Sequence, residues 1–411
     1  MPTTNTQRVR KSSSSTPIFI LHAHKIVVFC SAAIFTCLFA VNLFLVADLE
    51  KQSIVVNESW QIQNHPTTYN NVNDNQVEFD QNDNNSNNTA TNPVIDYFRR
   101  AGVELDNDSI ESLPTWSQIE SIIGKKPVFR GLDTCETFRQ TVPPLGRMLG
   151  SAGMFNSGTN LVTRLMKENC VIPERFNKYA PDGSKEDYGI RWQCPWGKHT
   201  PANFKNNHTA PKNEEIIKDH CLPIVTVRNP FDWMVSMCNI PYTARWPHHR
   251  ICPHLVEMSS NGKKVPVGVK VKLAEQWLNF DSLADLWNEF YAQYYRDFEY
   301  PYLIVRFEDL TFRQYETTKT ICECAGGVVK PQNMFKYIIK SAKQGPGHGK
   351  VSERTGMVEA WIKYGQPKQV KGGFSDEDYD AAIELLSHEF MESMGYKYPP
   401  PAPIIEAPRI L

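Results

Sequence analysis

From about residue 145 the chain alternates short apolar runs with amphipathic stretches. RMLGSAGMF reads as a strand, and GTNLVTRLMKENC after it as a helix with Val162, Leu165 and Met166 on one face. LPIVTVR (222–228) is a short run rich in β-branched residues. Asn229-Pro230 ends it, and Asp232 stands where it favours a helix N-terminus over NPFDWMVSMC. VKLAEQWLNFDSLADLWNEFYAQYY (271–295) predicts one long amphipathic helix region, and YLIVRFEDL (302–310) a further strand with its exit loop. Upstream, IDYFRRAGV reads as a short helix and PTWSQIESIIG as another that ends at Gly124. Strands alternating with helices predict an α/β fold, a mainly parallel sheet with right-handed crossovers. Ligands of such sheets gather at the carboxyl ends of the strands, where GMFNSGTN and RNPFDWMVS both fall.

The N-terminal pattern is different. Residues 26–47, IVVFCSAAIFTCLFAVNLFLVA, run for 22 residues without a charge. At ~1.5 Å per helical residue that length spans a bilayer core of ~30 Å. It exceeds the h-region of a cleaved leader, and no A-x-A site follows it. Arg8, Arg10, Lys11 and Lys25 precede the run, while Asp48, Glu50 and Lys51 follow. The positive-inside rule therefore predicts a type II single-pass anchor with residues 1–25 as a cytosolic tail. Residues 48–92, with YNNVNDNQVEFDQNDNNSNNTATN at their heart, are too polar to build a core and read as a disordered stem. A luminal domain is expected over 93–411.

Composition changes the picture only in places. The formal net charge is −1, so no basic excess points to nucleic acid. N-x-[ST] sequons begin at Asn57, Asn84, Asn87, Asn107 and Asn207, all on the luminal side of that topology. So do eight of the ten cysteines, and an oxidising lumen permits disulfides. Eight cysteines allow 105 full pairings, and spacing does not choose among them. Cys322 and Cys324 are one residue apart with no second pair at zinc-ligand spacing, so no metal is called for.

The candidate chemistry begins at GMFNSGTNL (153–161). Gly153 and Gly158 keep the spacing of the nucleotide-triphosphate loop G-x-x-x-x-G-K-[ST], but Thr159 stands where its lysine belongs, which argues against an ATP or GTP hydrolase. With IVTVRNPFDWMVSM, LIVRFEDL and RTGMVEAW (354–361), the loop forms an ordered set over roughly residues 145–365. This set resembles the sulfotransferase family, of the membrane-anchored Golgi type, with motifs closest to the cytosolic-type pattern. GMFNSGTNL is similar to the family's 5′-phosphosulfate loop, P-K-S-G-T-T. The arginine segment is similar to its 3′-phosphate segment, V-x-R-N-P-x-D-x-x-x-S, and RTGMVEAW to the late loop R-K-G-x-x-G-x-W.

The resemblance implies the P-loop-like parallel sheet of that family, and 3′-phosphoadenosine 5′-phosphosulfate (PAPS) as co-substrate without a metal. It assigns Asn156, Ser157, Gly158, Thr159 and Asn160 to the 5′ end, where backbone N–H groups and the helix dipole bind anions. Arg228 and Ser236 map to the 3′-phosphate, with Arg354, Thr355 (in place of the usual lysine) and Gly356 closing over it. Phe307 maps near the adenine, and Trp361 reads as core or a loop anchor. WGKHTPANF resembles the family's K-T-H-L-P segment, which makes His199 the implied general base for the acceptor's proton. His208 and His220 fit that segment less well, and Glu174 is the candidate for the glutamate base of some Golgi relatives.

Two positions depart from the family. The lysine before S-G-T is Asn156, and the lysine two before the histidine is Gly197. Lys198 is the candidate replacement cation toward the leaving phosphate. The implied activity is transfer of a sulfuryl group from PAPS to a hydroxyl or amine, on a glycan or glycoprotein acceptor, at the Golgi membrane. Two other classes stand beside it. A type II glycosyltransferase shares the anchor and stem, and D-x-D-like runs occur at Asp106–Asp108 and at Asp376, Asp378 and Asp380. A non-catalytic luminal module binding PAPS or its desulfated product would tolerate the lost lysine. The Pro-rich stretch 240–270, with basic and aromatic residues interleaved, is a candidate acceptor-groove lining or a plain surface insertion. The oligomeric state is not legible.

Overall fold

The computed structural model describes residues 92–343, 355–366 and 374–397. All lie in the second of two compact units, Asp74–Leu411; the first, Met1–Asn73, lies outside the described residues, as do the expected anchor, the expected stem up to residue 91 and Arg354. Among the described residues no helix is long and apolar enough to cross a membrane.

Three short helices open the unit: α1 (Pro93–Arg100), α2 (Asn107–Ser112) and α3 (Trp116–Ile123). The last starts on a capping box between Thr115 and Gln118 and stops at Gly124, as the pattern predicts. Then follow β1 (Phe129–Arg130), α4 (Thr134–Thr141), β2 (Met148–Gly153), α5 (Thr159–Asn169), β3 (Cys170–Val171), α6 (Pro173–Tyr179) and β4 (Ile190–Arg191). β5 (Cys221–Val227) leads into α7 (Pro230–Asn239), where Pro230 at the first helical position and the Asn229 side chain, accepting from the Phe231 N–H, start the helix. Two hairpins come next: β6 (Val256–Met258) with β7 (Lys264–Pro266), and β8 (Val269–Leu273) with β9 (Gln276–Phe280). The chain continues through α8 (Leu283–Tyr295), β10 (Leu303–Arg306), α9 (Phe307–Phe312), α10 (Gln314–Cys324), β11 (Val328–Val329), α11 (Met357–Tyr364), α12 (Asp376–Leu385) and α13 (His388–Ser393).

The main sheet has the order β1-β10-β5-β2-β4. β10, β5, β2 and β4 run parallel, and β1 is antiparallel at the edge. Helices cover both faces. Along β5, Leu222 and Ile224 enter one core with Val162 and Leu165 of α5 and Ile321 of α10. Val225 and Val227 enter the opposite core with Trp233 of α7 and Trp287 of α8. A strand buried on both faces reads as a near-continuous apolar run, which is why LPIVTVR shows no alternation. From β2 the chain goes to β4 on one side and to β5 on the other, so the crevice above the carboxyl end of β2 is the topological switch point.

Two expectations are corrected. Residues 271–295 are not one helical region: β8 and β9 form a hairpin before α8. Val269, Val271 and Leu273 are buried while Lys270 is exposed, a period of two. Ala274 (φ 47°) and Glu275 (φ 60°) make the tight left-handed turn between them. The exit from β10 is not a loop, because FEDL starts α9 directly. Three disulfides pair six of the eight cysteines: Cys135–Cys324, Cys170–Cys322 and Cys238–Cys252. Cys194 and Cys221 are buried thiols.

Candidate anion-binding site

The turn after β2 crosses directly above the sheet. Gly153 (φ 136°) and Gly158 (φ 99°) both occupy the left-handed half of conformational space. A Cβ on Gly153 would lie 2.6 Å from the Thr226 carbonyl oxygen, and one on Gly158 2.6 Å from Cδ2 of Phe307. Glycine is therefore required at both positions by backbone and by space. Gly158 is the N-cap of α5, and no side chain caps that helix end. The positive end of an eleven-residue helix is thereby presented to the switch-point crevice.

Three side chains shape the turn. Ser157 is fully buried; its hydroxyl donates to the Met154 carbonyl (2.7 Å) and shares a hydrogen bond with the Thr226 hydroxyl (2.9 Å). It braces the loop from behind and does not line the cavity. Asn156, where the resemblance expects a lysine, is a clasp: its amide donates to the carbonyls of Ile240 (2.9 Å) and Ser236 (3.2 Å) at the end of α7. Asn160, one residue into α5, accepts from Nζ of Lys198 at 2.9 Å.

Arg228 leaves the end of β5, 5% exposed. Its Nη1 donates to the Ser236 hydroxyl (2.9 Å) and the Asn156 carbonyl (3.3 Å). The guanidinium lies 5.0 Å from the Phe307 ring centroid and 4.9 Å from that of Tyr364. Its Nε is buried with no hydrogen-bond partner among the described residues. An orphaned N–H on a cation is costly unless a ligand takes it, so this atom fits an anionic oxygen.

Behind Arg228, Glu308 accepts from the Asn229 N–H (3.0 Å) and the Tyr396 hydroxyl (2.9 Å), and burial raises its pKa. Asp309 accepts from Arg306 Nε (2.6 Å), from Arg313 and from the Val128 N–H (3.0 Å). These buried acids fix the chain on either side of the site; sequence reading took FEDL only as a motif.

The third wall is WGKHT. The imidazole of His199 holds Nδ1 2.7 Å from the Gly153 carbonyl oxygen. A carbonyl only accepts, so Nδ1 carries a proton, and in the neutral ring the lone pair is on Nε2. Next to it, the Lys198 ammonium sits 3.1 Å from the Trp192 ring centroid. Burial, with Lys167 a lesser cause, brings its pKa from 10.5 down to about 7.

All these walls meet in one cavity of about 520 Å³. Asn156, Gly158, Thr159, Asn160, Lys198, His199, Arg228, Ser236, Phe307, Thr355 and Gly356 line it. Of the other expected site residues, Ser157 sits behind the loop and Arg354 lies outside the described residues. Glu174 is exposed and, with His208 and His220, does not line the cavity. Of the 240–270 stretch, only Ile240 and Tyr242 reach it. Sequence reading missed Tyr364, Lys340, Lys343 and Lys363. Tyr364 stands three residues after the buried Trp361 on α11, so helical spacing was a signal for it. Burial first, and the Arg228 charge second, lower the pKa of Lys343.

The D-x-D-like runs are accounted for structurally. Asp106 caps α2, accepting from the Ser109 N–H (2.7 Å). Asp378 is buried and accepts from the Leu255 (2.6 Å) and His254 (3.0 Å) N–H groups. Among the described residues no group of acids, histidines or cysteines is arranged to hold a metal ion.

Fold and site define an α/β protein with a cationic cavity at the switch point of a parallel sheet. No protein-family model, curated protein or solved structure matches the chain.

Proposed function

We propose that this protein is a PAPS-dependent sulfotransferase acting on an acceptor hydroxyl or amine, most naturally of a glycan. The observation that carries the reading is the charge of the cavity. Its described lining holds Lys198, Arg228, Lys340, Lys343 and Lys363 and no carboxylate, in a chain whose formal net charge is −1. Such a wall selects an anionic ligand. The arrangement also offers two distinct anion-binding groups, the α5 N-terminus and the Arg228–Ser236 pair, with Phe307 and Tyr364 beside the latter. A nucleotide with a sulfated 5′-phosphate and a 3′-phosphate carries charge at both ends and an aromatic base, which suits that division.

In this reading the acceptor oxygen attacks sulfur. A new O–S bond forms as the S–O bond to the 5′-phosphate breaks, and Nε2 of His199 takes the acceptor's proton. The charge developing on the 5′-phosphate is met by the α5 N-terminus and by Lys198, which the Asn160 contact holds at the loop and which takes the role of the family's missing lysine. Donor, acceptor and cations do the work by position and charge, as in phosphoryl transfer. The Golgi-type anchor belongs to the proposal through residues 26–47. Mixing the full chain with isotopically labelled PAPS and a glycan panel tests it. Label transfer that disappears in His199→Ala is expected; absence of transfer to hydroxyl and amine acceptors alike, with the donor bound, would favour a non-catalytic module.

A further inference from the structure

The cavity has two aromatic poles, and the nucleotide accounts for one. Phe307 and Tyr364 flank Arg228, with Lys343 and Lys363 beside them. The other pole is built on Phe155 of the 153–160 turn and on rings beside it. Tyr242 stacks on Phe155 with ring centroids 4.9 Å apart and planes 13° off parallel, and Phe155 lies 4.6 Å from the His199 ring. Trp192 receives Lys198 on one face. Both rings keep a large share of their surface exposed: Trp192 is 44% and Tyr242 37% exposed, and both line the cavity. Among the described residues the only other aromatic side chain so exposed is Trp277, which lines no part of it.

The backbone of Tyr242 adds a second, independent signal. Its φ is 53°, a left-handed conformation that a bulky side chain adopts at a cost. Such outliers persist where the surroundings over-determine them, and they concentrate at ligand sites. Asn156 holds the neighbouring Ile240 carbonyl at 2.9 Å and the Cys238–Cys252 disulfide closes the segment, so the ring is fixed where it stands. The cavity lining also holds the amides Gln193, Asn239 and Asn160, with Lys198 the charged group at this pole.

We infer that Trp192 and Tyr242 form the acceptor subsite and that it takes the pyranose ring of a neutral glycan, laid on these rings with its hydroxyls toward the amides and His199. An apolar C–H face over an aromatic ring, with hydroxyls at its edge, matches solvent-open rings beside amides. The inference rests on the sulfuryl-transfer reading for which hydroxyl reacts, but sugar binding is measurable without turnover.

The test uses the full chain with saturating 3′,5′-bisphosphoadenosine, titrated with neutral oligosaccharides ending in galactose or N-acetylglucosamine and, separately, with a tyrosine-containing peptide. Sugar binding is expected, weakened at least tenfold by Trp192→Ala and by Tyr242→Ala, and retained in Tyr242→Phe. Tyr242→Gly, which relieves the left-handed backbone, should fold at least as stably as Tyr242→Ala and still lose the sugar. Nucleotide affinity should stay within twofold in all four variants. Absence of sugar binding, sugar binding insensitive to both aromatic truncations, preferential binding of the peptide, or an equal loss of nucleotide affinity would each overturn the inference. Failure of the nucleotide to bind while the sugar binds as described would instead count against the donor reading alone.

Discussion

At the residue scale the site turns on proton positions. The Gly153 carbonyl holds Nδ1 of His199, so in the proposed reaction the base is Nε2, and the ring cannot rotate without losing a 2.7 Å hydrogen bond. His199→Ala should therefore lower kcat by about 100- to 10,000-fold, the range of general-base catalysis, with nucleotide affinity unchanged. Steady-state rates beside a binding isotherm check this, and a parallel loss of affinity would make His199 a binding residue. Lys198 is the second case. Its pKa is depressed from 10.5 to about 7, so the unfolded chain holds more protons than the folded one between those values. Stability from this group therefore rises with pH through that window, and the buried charge weighs fully against folding below pH 7. Lys198→Met should stabilise the chain at pH 6, with the advantage shrinking toward pH 10. Thermal midpoints across pH measure it, and a pH-independent difference would contradict the assignment. Much of this scale was legible: Arg228, Ser236 and His199 were singled out from the sequence, and all three line one cavity. Asn156 was legible as a departure but not as a clasp, because its partners are the Ser236 and Ile240 carbonyls more than 75 residues away.

At the element scale, the strand-turn-helix after β2 is the part most dependent on local chemistry. Gly158→Ala would put a methyl 2.6 Å from Phe307 and force a left-handed backbone. It should cost about 1–3 kcal/mol of stability and displace the nucleotide, read by urea unfolding and a binding titration. A variant as stable as the parent, with full affinity, would show that the turn tolerates a side chain. The strands β2, β5 and β10 and the helices after β2 and β5 could be read from apolar runs and breakers, whereas the helix after β10 was read as a loop. The β8–β9 hairpin could not, because five-residue strands with Trp277 and Leu278 on the second one mimic helical spacing when joined to α8. The turn at Ala274-Glu275 lacks the usual Gly or Asn, so no punctuation marks it.

At the scale of the whole molecule, disulfides and cavity are separate devices. Cys170–Cys322 and Cys135–Cys324 join residues 152 and 189 positions apart and tie the end of α10 to β3 and α4, while neither pair lines the cavity. Replacing Cys170 and Cys322 by Ala should lower stability by about 2–5 kcal/mol, with nucleotide affinity kept once the chain is folded. An unchanged urea midpoint would contradict that role. The pairing was beyond sequence reading because cysteine spacing carries no information on contacts across the sheet. Of the segments that converge on the cavity, only the 153–160 turn and the Arg228 segment were readable from their place at strand ends; the others were grouped with them through the resemblance alone.

The central claim is that the 153–160 turn and Arg228 each hold one of the two phosphates of a bisphosphorylated nucleotide. Calorimetric titration of the full chain with 3′,5′-bisphosphoadenosine and with 5′-AMP tests it, in the parent and in Arg228→Ala. A charge-assisted hydrogen bond contributes about 1.5–3 kcal/mol, so the parent should prefer the bisphosphate by about ten- to a hundredfold. The preference should vanish in the variant while 5′-AMP binding persists. Equal affinity for the two nucleotides in the parent, or a preference that survives Arg228→Ala, would contradict the account.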